Sequence, residues 1–201
     1  MEKSSKKQQW KRFGVVTLLV LVVTFAGMIA FSPYGNEDGY DYKVIKTSTV
    51  INASADSVFS YLGKSSNASK WSVYVRNIQP LNADKFPDGS VGGRRRCYSK
   101  QDKTMVWDEL ITVVEKNKKR QLVIYNLVNF PLTASGLATE QNYEVLGKNK
   151  CRLTFTVFYK DKPSFVETIK TYFAGYTIKS IFERNLDNIK SINEGRTAKY
   201  S

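Results

Sequence analysis

The chain has 201 residues, enough for one folded domain with an appendage and too few for two ordinary domains. Its 31 lysines and arginines against 18 aspartates and glutamates give a net charge of +13, which suits an anionic membrane surface, an acidic partner or solubility alone. The lack of histidine excludes Ser/His/Asp and Cys/His nucleophile arrangements and most zinc sites, so no cofactor or metal is expected.

The first element is an apolar segment behind a basic leader. Residues 1–12 carry five basic side chains, and no charged residue occurs from position 13 to position 36. Because about 20 helical residues span the hydrocarbon core of a bilayer, residues 13–32 are predicted to form a transmembrane helix. Trp10 and Tyr34 suit the interfacial aromatic positions at its two ends. The basic leader predicts a cytoplasmic amino terminus and an extracytoplasmic domain, either periplasmic or extracellular.

A cleaved signal peptide is the alternative interpretation of this segment. Its apolar region would normally be shorter, about 7–15 residues, and would precede a small-x-small cleavage site. Here Phe31 lies near the candidate cleavage site and Pro33 just after it. The sequence therefore favours an uncleaved, single-pass anchor.

A polar linker, one domain and a short tail are predicted after this segment, at residues 33–41, 42–194 and 195–201. Two helices are predicted at 53–62, with Ser54 as the amino-terminal cap, and at 66–71. Seven strands are predicted from apolar alternation and turn signals, at 42–51, 73–81, 91–100, 104–114, 121–128, 133–146 and 151–159. The last strand alternates most regularly, which predicts one face in the core and one in water.

The carboxy-terminal helical region contains two apolar stripes. The first is formed by Phe165, Ile169, Tyr172 and Tyr176, and the apolar side rotates by roughly half a turn beyond Gly175. A straight helix cannot bury both stripes in one sheet. We therefore predict a short helix near 163–174, a break near Gly175 and a terminal helix to about residue 193.

Two cysteines, Cys97 and Cys151, fall on predicted strands that should not be neighbours. Two buried free thiols are therefore expected, with pairing in an oxidising compartment as the alternative. The basic turns at 116–120 and 148–152 are interpreted as solvated charges, with contact to anionic lipid headgroups as the alternative.

The order β-α-α-β6-α predicts an α+β fold with a curved antiparallel sheet around a helix. Several motifs then resemble the SRPBCC superfamily (START/Bet v 1-like, polyketide cyclase/dehydrase and lipid transport type). Residues 50–59 (VINASADSVF) resemble its opening motif, although Ser54 stands where many relatives have Pro. Trp71, the Ser-Val-Gly at 90–92, and NLDNIK at 185–190 followed by Glu194 resemble later motifs.

This resemblance covers residues 42–194 and implies a helix-grip fold, in which a seven-stranded sheet holds a long carboxy-terminal helix with a cavity between them. Relatives bind lipids, sterols, hormones or polyketides there, and a minority catalyse cyclisation or dehydration. The candidate ligand-binding residues are Trp71, Arg95, Trp107, Tyr125, Tyr143, Phe155, Tyr159, Phe165, Ile169, Tyr172, Phe173 and Tyr176. The alternative for each aromatic residue is ordinary core packing.

Glu109 is the one carboxylate that shares a strand face with core residues, so it is the candidate acid or base. A structural ion pair with one of the three arginines at 94–96 is the favoured alternative, and Arg95 is the one that would point inward. Glu140 and Glu144 are predicted to face outward.

The leading functional hypothesis is a membrane-anchored binding protein for a hydrophobic or amphipathic small molecule or lipid. One alternative is a cyclase or dehydratase that uses Glu109 or a pocket tyrosine. Another is an interaction module whose cavity has closed. A nucleic-acid partner is not expected, because no recognition motif is present; the sequence identifies no protein partner.

Overall fold

The computed structural model describes residues 2–132 and 136–200, with backbone only for 2–9, 11 and 12. The chain divides into two compact units, Met1–Ser32 and Pro33–Ser201. The first contains helix α1, Glu2–Ala30. Its segment Phe13–Ala30 is long and apolar enough to cross a bilayer, a property that signal sequences share.

The second unit contains one seven-stranded antiparallel sheet, which confirms the predicted α+β architecture. Its spatial order is β1-β7-β6-β5-β4-β3-β2, so every neighbouring pair except β1 and β7 is consecutive in the chain. The strands are β1 Ile45–Ile51, β2 Val75–Pro80, β3 Arg94–Ser99, β4 Val106–Glu115, β5 Lys119–Val128, β6 Leu137–Gly147 and β7 Lys150–Tyr159. The first three residues of the predicted strand 133–146 lie outside the described residues.

Short helices lie between β1 and β2, and a long one follows β7. They are α2 Ala55–Gly63, a 3₁₀ turn Ser65–Asn67, α3 Ala68–Trp71 and α4 Phe165–Asn193. The side chain of Ser54 accepts a hydrogen bond from Ser57 N at 3.2 Å, so the predicted cap is confirmed. Ser164 caps α4 in the same way, by accepting from Glu167 N at 3.2 Å.

Helix α4 is continuous, so the predicted break near Gly175 is wrong. The prediction followed apolar residues only, whereas the buried stripe in the first half of α4 is polar and small. Glu167, Thr171 and Gly175 are buried there. At spacings of three and four residues they lie in phase with Ile178 and Phe182, so the same face of the helix is turned toward the sheet in both halves.

The segment before β1 packs onto the domain, and Tyr34, predicted to suit an interfacial position, is buried in the domain core. Tyr34 is 3% exposed and belongs to the core cluster that contains Trp107. Tyr40 and Val44 form a cluster with Phe158 instead. Because these residues cover Phe158, β7 is buried on both faces along most of its length rather than on one face as predicted.

The carboxy-terminal half of α4 is fixed by side-chain hydrogen bonds to distant backbone. Asn188, fully buried, donates to the carbonyl of Trp71 at 3.0 Å and accepts from Lys199 N and Tyr200 N at 2.8 Å each. Glu194 accepts from Asn52 N at 2.9 Å. The family-like motif at 185–194 thus ties α4 to α3, to the turn after β1 and to the end of the chain.

Candidate functional site

A cavity of about 450 Å³ lies between the inner face of the sheet and α4. Alternation along the strands decides which side chains reach it. On β4 the inward residues are Trp107 and Glu109, and on β5 they are Leu122 and Ile124. The other wall is one face of α4, with Ala174, Ile178, Ile181, Phe182 and Asn185 at helical spacing.

Aromatic side chains border much of the cavity, and they pack edge-to-face. The ring centroids of Trp71 and Phe155 are 6.0 Å apart, and those of Trp107 and Phe130 are 5.5 Å apart. The indole nitrogen of Trp71 is buried and has no hydrogen-bond partner among the residues that the structure describes. Trp71 is therefore a donor beside the cavity whose hydrogen-bonding capacity the described protein atoms leave unused.

An ion pair forms the main polar feature of the cavity wall. Arg95 Nε donates to Glu109 Oε2 at 2.7 Å, and Trp107 Nε1 donates to Glu109 Oε1 at 3.0 Å. Both charged side chains are only 12% exposed. Burial alone would lower the pKa of Arg95, but the adjacent Glu109 carboxylate offsets that effect and the pKa is raised.

Cys97 lies beside this ion pair and is fully buried. Burial, together with the Glu109 charge, raises the pKa of the Cys97 thiol, so the thiol stays protonated and unreactive. The second free cysteine, Cys151, is buried on β7, which is not adjacent to β3 in the sheet. Within the described residues no group of three or more Cys, Asp and Glu side chains is placed to hold a metal ion.

Four of the twelve candidate ligand-binding residues line the cavity, together with Glu109: Trp71, Arg95, Trp107 and Phe155. Arg95 is thus the inward-pointing arginine, and it forms the ion pair that was the favoured alternative to catalysis by Glu109. Glu144 is exposed and pairs with Arg152. Glu140 is buried, and its carboxylate accepts from Tyr40 and Gln121.

The strand tyrosines among the other eight candidates lie elsewhere. Tyr125 is paired in register with Asp108 and so lies on the outer face of the sheet. Tyr143 is on the inner face, but it packs against Phe59 of α2 at 5.2 Å and lies outside the cavity. Tyr159 is buried, with its hydroxyl 2.8 Å from Thr171 Oγ1.

The candidates in the first half of α4 also lie outside the cavity lining. Phe165 is 79% exposed and Tyr176 40% exposed, Ile169 and Phe173 are partly buried, and Tyr172 packs edge-on against Tyr34. The physical reason is the phase of the helix. Four of them form the predicted apolar stripe (Phe165, Ile169, Tyr172 and Tyr176), but the face toward the sheet is that of Thr171, Ala174 and Ile178.

The sequence interpretation missed several lining residues: Tyr74, Val75, Ile78, Met105, Leu122, Ile124, Phe130, Leu132, Ile178 and Phe182. Strand alternation offered a signal for Leu122 and Ile124, since they share a face of β5. For Phe130 and Leu132, in the segment after β5, no periodic signal was present.

A protein-family model described as "Polyketide cyclase / dehydrase and lipid transport" matches residues 43–194. No curated protein matches the chain significantly. Among solved structures, norcoclaurine synthase from Thalictrum flavum, in complex with dopamine and hydroxybenzaldehyde, is similar with a TM-score of 0.56 at 15% identity. The similarity covers 77% of this chain and 88% of that one.

Two further structures are similar to this chain. Zhui aromatase/cyclase from a Streptomyces species has a TM-score of 0.56 at 13% identity, covering 79% of this chain and 98% of that one. A START superfamily protein from Mycobacterium smegmatis has a TM-score of 0.52 at 14% identity, covering 71% and 93%. At these identities the likeness establishes the fold alone.

Proposed function

The chain belongs to the polyketide cyclase/dehydrase and lipid transport family, and from this premise we propose that it binds a hydrophobic or amphipathic small molecule or lipid between the sheet and α4. The observation that carries the proposal is the cavity of about 450 Å³ with largely apolar and aromatic walls. Ligand sites in proteins are typically about 300–1,000 Å³, apolar, and supplied with a few convergent polar groups.

The polar groups on the cavity wall are few, and the main ones lie next to one another. Arg95 and Glu109 lie on the wall, and Trp107 fixes the Glu109 carboxylate from its other side. An apolar ligand body would pack against residues such as Ile124 and Phe182, while a polar group of the ligand would meet the ion pair. This combination favours an amphipathic ligand over a purely apolar one.

We further propose that α1 anchors this binding domain in a membrane, with the amino terminus in the cytoplasm and the domain outside it. Support comes from the apolar segment Phe13–Ala30 and from the basic leader before it. Mass measurement of the mature protein from membranes tests the anchor, because removal of a signal peptide would leave a shorter chain. Protease accessibility in sealed vesicles tests the sidedness.

Uptake by the full chain tests the binding function. The delipidated protein, held in lipid nanodiscs, is incubated with a mixture of lipids and apolar small molecules and analysed by native mass spectrometry. We expect bound ligand on the native chain and reduced uptake by Ala174→Trp, which places an indole in the cavity. Ser180→Trp, at an exposed position of α4 outside the lining, is the matched control and should bind normally. A native chain that takes up nothing contradicts the proposal.

A second candidate function is a cyclase or dehydratase reaction, favoured by the presence of the Glu109 carboxylate on the cavity wall. Both oxygens of that carboxylate accept hydrogen bonds from N–H donors, so Glu109 is placed as a base or a charge stabiliser rather than as a proton donor. Incubation of a candidate substrate with the chain would then produce either a mass loss of water, for a dehydration, or an isomer of unchanged mass that separates by chromatography, for a cyclisation; both products would be absent with Glu109→Gln. Recovery of the unchanged compound would leave binding as the activity.

A further inference from the structure

Arg120 is a buried cation whose environment the sequence did not reveal. It lies at the start of β5 and is 3% exposed, although its position in a run of basic residues suggested a solvated turn. Its guanidinium is 4.3 Å from the centroid of the Phe59 ring, and Nη2 donates to the Phe59 carbonyl at 3.4 Å. Gly63 leaves space for this group, since a Cβ at position 63 would be 2.9 Å from Nη2.

The guanidinium of Arg120 has no carboxylate within ion-pair distance in the described part of the chain. Nη1 donates to Gln141 Oε1 at 3.3 Å and to the Tyr143 hydroxyl at 3.4 Å, and both acceptors are neutral. The Nε group is buried without a hydrogen-bond partner among the described residues. Burial lowers the pKa of Arg120, but an arginine keeps its charge in a protein.

Arg120 is connected to the cavity through Gln141. The Gln141 side chain, which accepts from Arg120, belongs to the cavity lining, and so does Arg95 on the neighbouring part of the wall. The two arginines lie near enough to repel one another, which acts to lower the pKa of Arg120. One guanidinium group, that of Arg95, therefore lies on the cavity wall, and a second, that of Arg120, lies behind Gln141 and outside the lining.

The negative charges nearby leave Arg120 without an ion pair. Glu109 is bound by Arg95. Asp88 is exposed, and its carboxylate accepts from the backbone and hydroxyl of Ser65; its charge acts to raise the pKa of Arg120 but forms no ion pair with it. Glu140 has its own donors and lies 3.6 Å from Lys119. A buried positive charge without an ion-pair partner is costly to a folded protein, and a bound anion would relieve that cost.

We propose that the cavity selects amphipathic anions, with the anionic head at the Gln141 end, near Arg95 and Arg120, and the apolar body between β5 and α4. This inference rests on the proposed binding function and specifies its ligand class. A carboxylate fits best, since it is a planar acceptor of the kind that guanidinium groups recognise. A phosphate head carries the same charge chemistry and forms a separate arm of the test.

The test compares molecules that share one apolar body and differ in the head. The full chain in nanodiscs is incubated with equimolar dodecanoic acid, dodecyl phosphate, dodecanol and dodecylamine, and bound species are resolved by native mass spectrometry. We expect the acid to exceed the alcohol by about tenfold, a difference that a single favourable charge interaction can supply. The amine should be the weakest binder, and the ratio of phosphate to acid identifies the preferred head. Because the native chain alone gives these ratios, the result does not depend on any variant folding.

Variants at position 120 assign the preference to this arginine. Arg120→Met, which keeps length and removes charge, should bring acid and alcohol to similar occupancy while alcohol binding persists. Arg120→Lys should retain most of the preference, and Arg76→Met, at an exposed position of β2, should retain all of it. Equal binding of acid and alcohol by the native chain overturns this inference and leaves the binding function standing. A folded Arg120→Met protein that still prefers the acid also overturns it, whereas uptake of none of the four overturns the binding function itself.

Discussion

The two ends of the space between the sheet and α4 are built from the same elements but are filled differently. At the end covered by α2, here the filled end, Val58, Phe59 and Leu62 pack into one cluster with Leu186 and Ile189 of α4. At the other end, here the cavity end, Ile178 and Phe182 of the same helix face Leu122 and Ile124 across about 450 Å³ of open space. Helix α2 fills the space at one end, whereas at the other end the short helix α3 borders the space without filling it.

The sheet and α4 alone therefore do not decide whether the interior is solid. Antiparallel strands that curve away from a helix leave a gap, and packing density is restored only where another element inserts. The third hypothesis, a closed interaction module, requires both ends to be solid. The filled end meets that requirement and the cavity end does not.

A matched pair of isoleucines on α4 gives the largest expected contrast. Ile189 is fully buried at the filled end, so Ile189→Ala should lower the free energy of unfolding by about 2–5 kcal/mol. Ile178 lies on the cavity wall, where one side already lacks packing partners, so Ile178→Ala should cost only about 1 kcal/mol. Chemical denaturation monitored by circular dichroism measures both.

In ligand binding, Ile178→Ala should have the larger effect of the two substitutions, the reverse of their order in stability. Ile178→Ala changes the cavity volume and should alter which chain lengths bind, whereas Ile189→Ala should leave the selectivity of the folded fraction unchanged. Equal destabilisation by the two substitutions would contradict the distinction between a filled end and a cavity end.

The fold was predictable from sequence because its signals are local. Strand alternation, turn residues and the cap at Ser54 each specify one element, and together they indicated seven strands and a terminal helix. The break predicted at Gly175 failed because the buried stripe there contains Glu167 and Thr171. A hydrophobicity pattern does not register polar residues that are buried and hydrogen-bonded.

The site was less predictable than the fold. It depends on which side chains face the interior and how deeply they are buried, and not only on where the strands and helices lie. Arg95 was assigned from strand alternation and Trp107 from its aromatic character, and both line the cavity. Tyr125 lies on the outer face of β5, because it alternates with the inward-facing Ile124, and its aromatic character alone did not decide its face. Arg120 was interpreted as part of a solvated turn, because the burial of a cation by α2 depends on contacts 61 residues apart in the chain.

Asn188 tests whether the filled end also depends on polar anchoring. Its side chain bridges the Trp71 carbonyl and the backbone of Lys199 and Tyr200. Asn188→Ala would leave these buried groups without partners, so we expect a loss of about 1–3 kcal/mol of stability. Hydrogen exchange should accelerate at Lys199 and Tyr200, which lose their acceptor.

Asn193→Ala is the control for the loss of an asparagine from the same helix, because among the described residues the Asn193 side chain bonds within α4, to the Ile189 carbonyl. It should have a small effect. Unchanged exchange at Tyr200 in Asn188→Ala would mean that the end of the chain is held by other contacts, such as the stacking of Arg184 on Tyr200.

The smallest expected effect is a pH dependence at the cavity end, on the outer face of β4. Arg96 donates to both oxygens of Asp108 at 2.8 and 3.0 Å, and Asn126 donates at 2.9 Å. The Arg96 hydrogen bond, despite the opposing effect of burial, lowers the pKa of Asp108. The unfolded chain then binds a proton at a higher pH than the folded chain. The stabilisation is therefore complete above the ordinary aspartate range, about pH 4, and is lost as the pH falls through the lower folded-state pKa.

Asp108→Asn should accordingly reduce stability by about 1–2 kcal/mol at neutral pH. The gap between native and variant should narrow as the pH falls below about 4, because Asp108 then binds a proton in the unfolded native chain before it does so in the folded one. Urea titrations at a series of pH values measure this gap. Glu144→Gln is the control, since its ion pair with Arg152 is exposed and should contribute little at any pH. A gap for Asp108→Asn that stays constant from neutral to acid pH would mean that Asp108 acts through its shape and hydrogen bonds rather than through its charge.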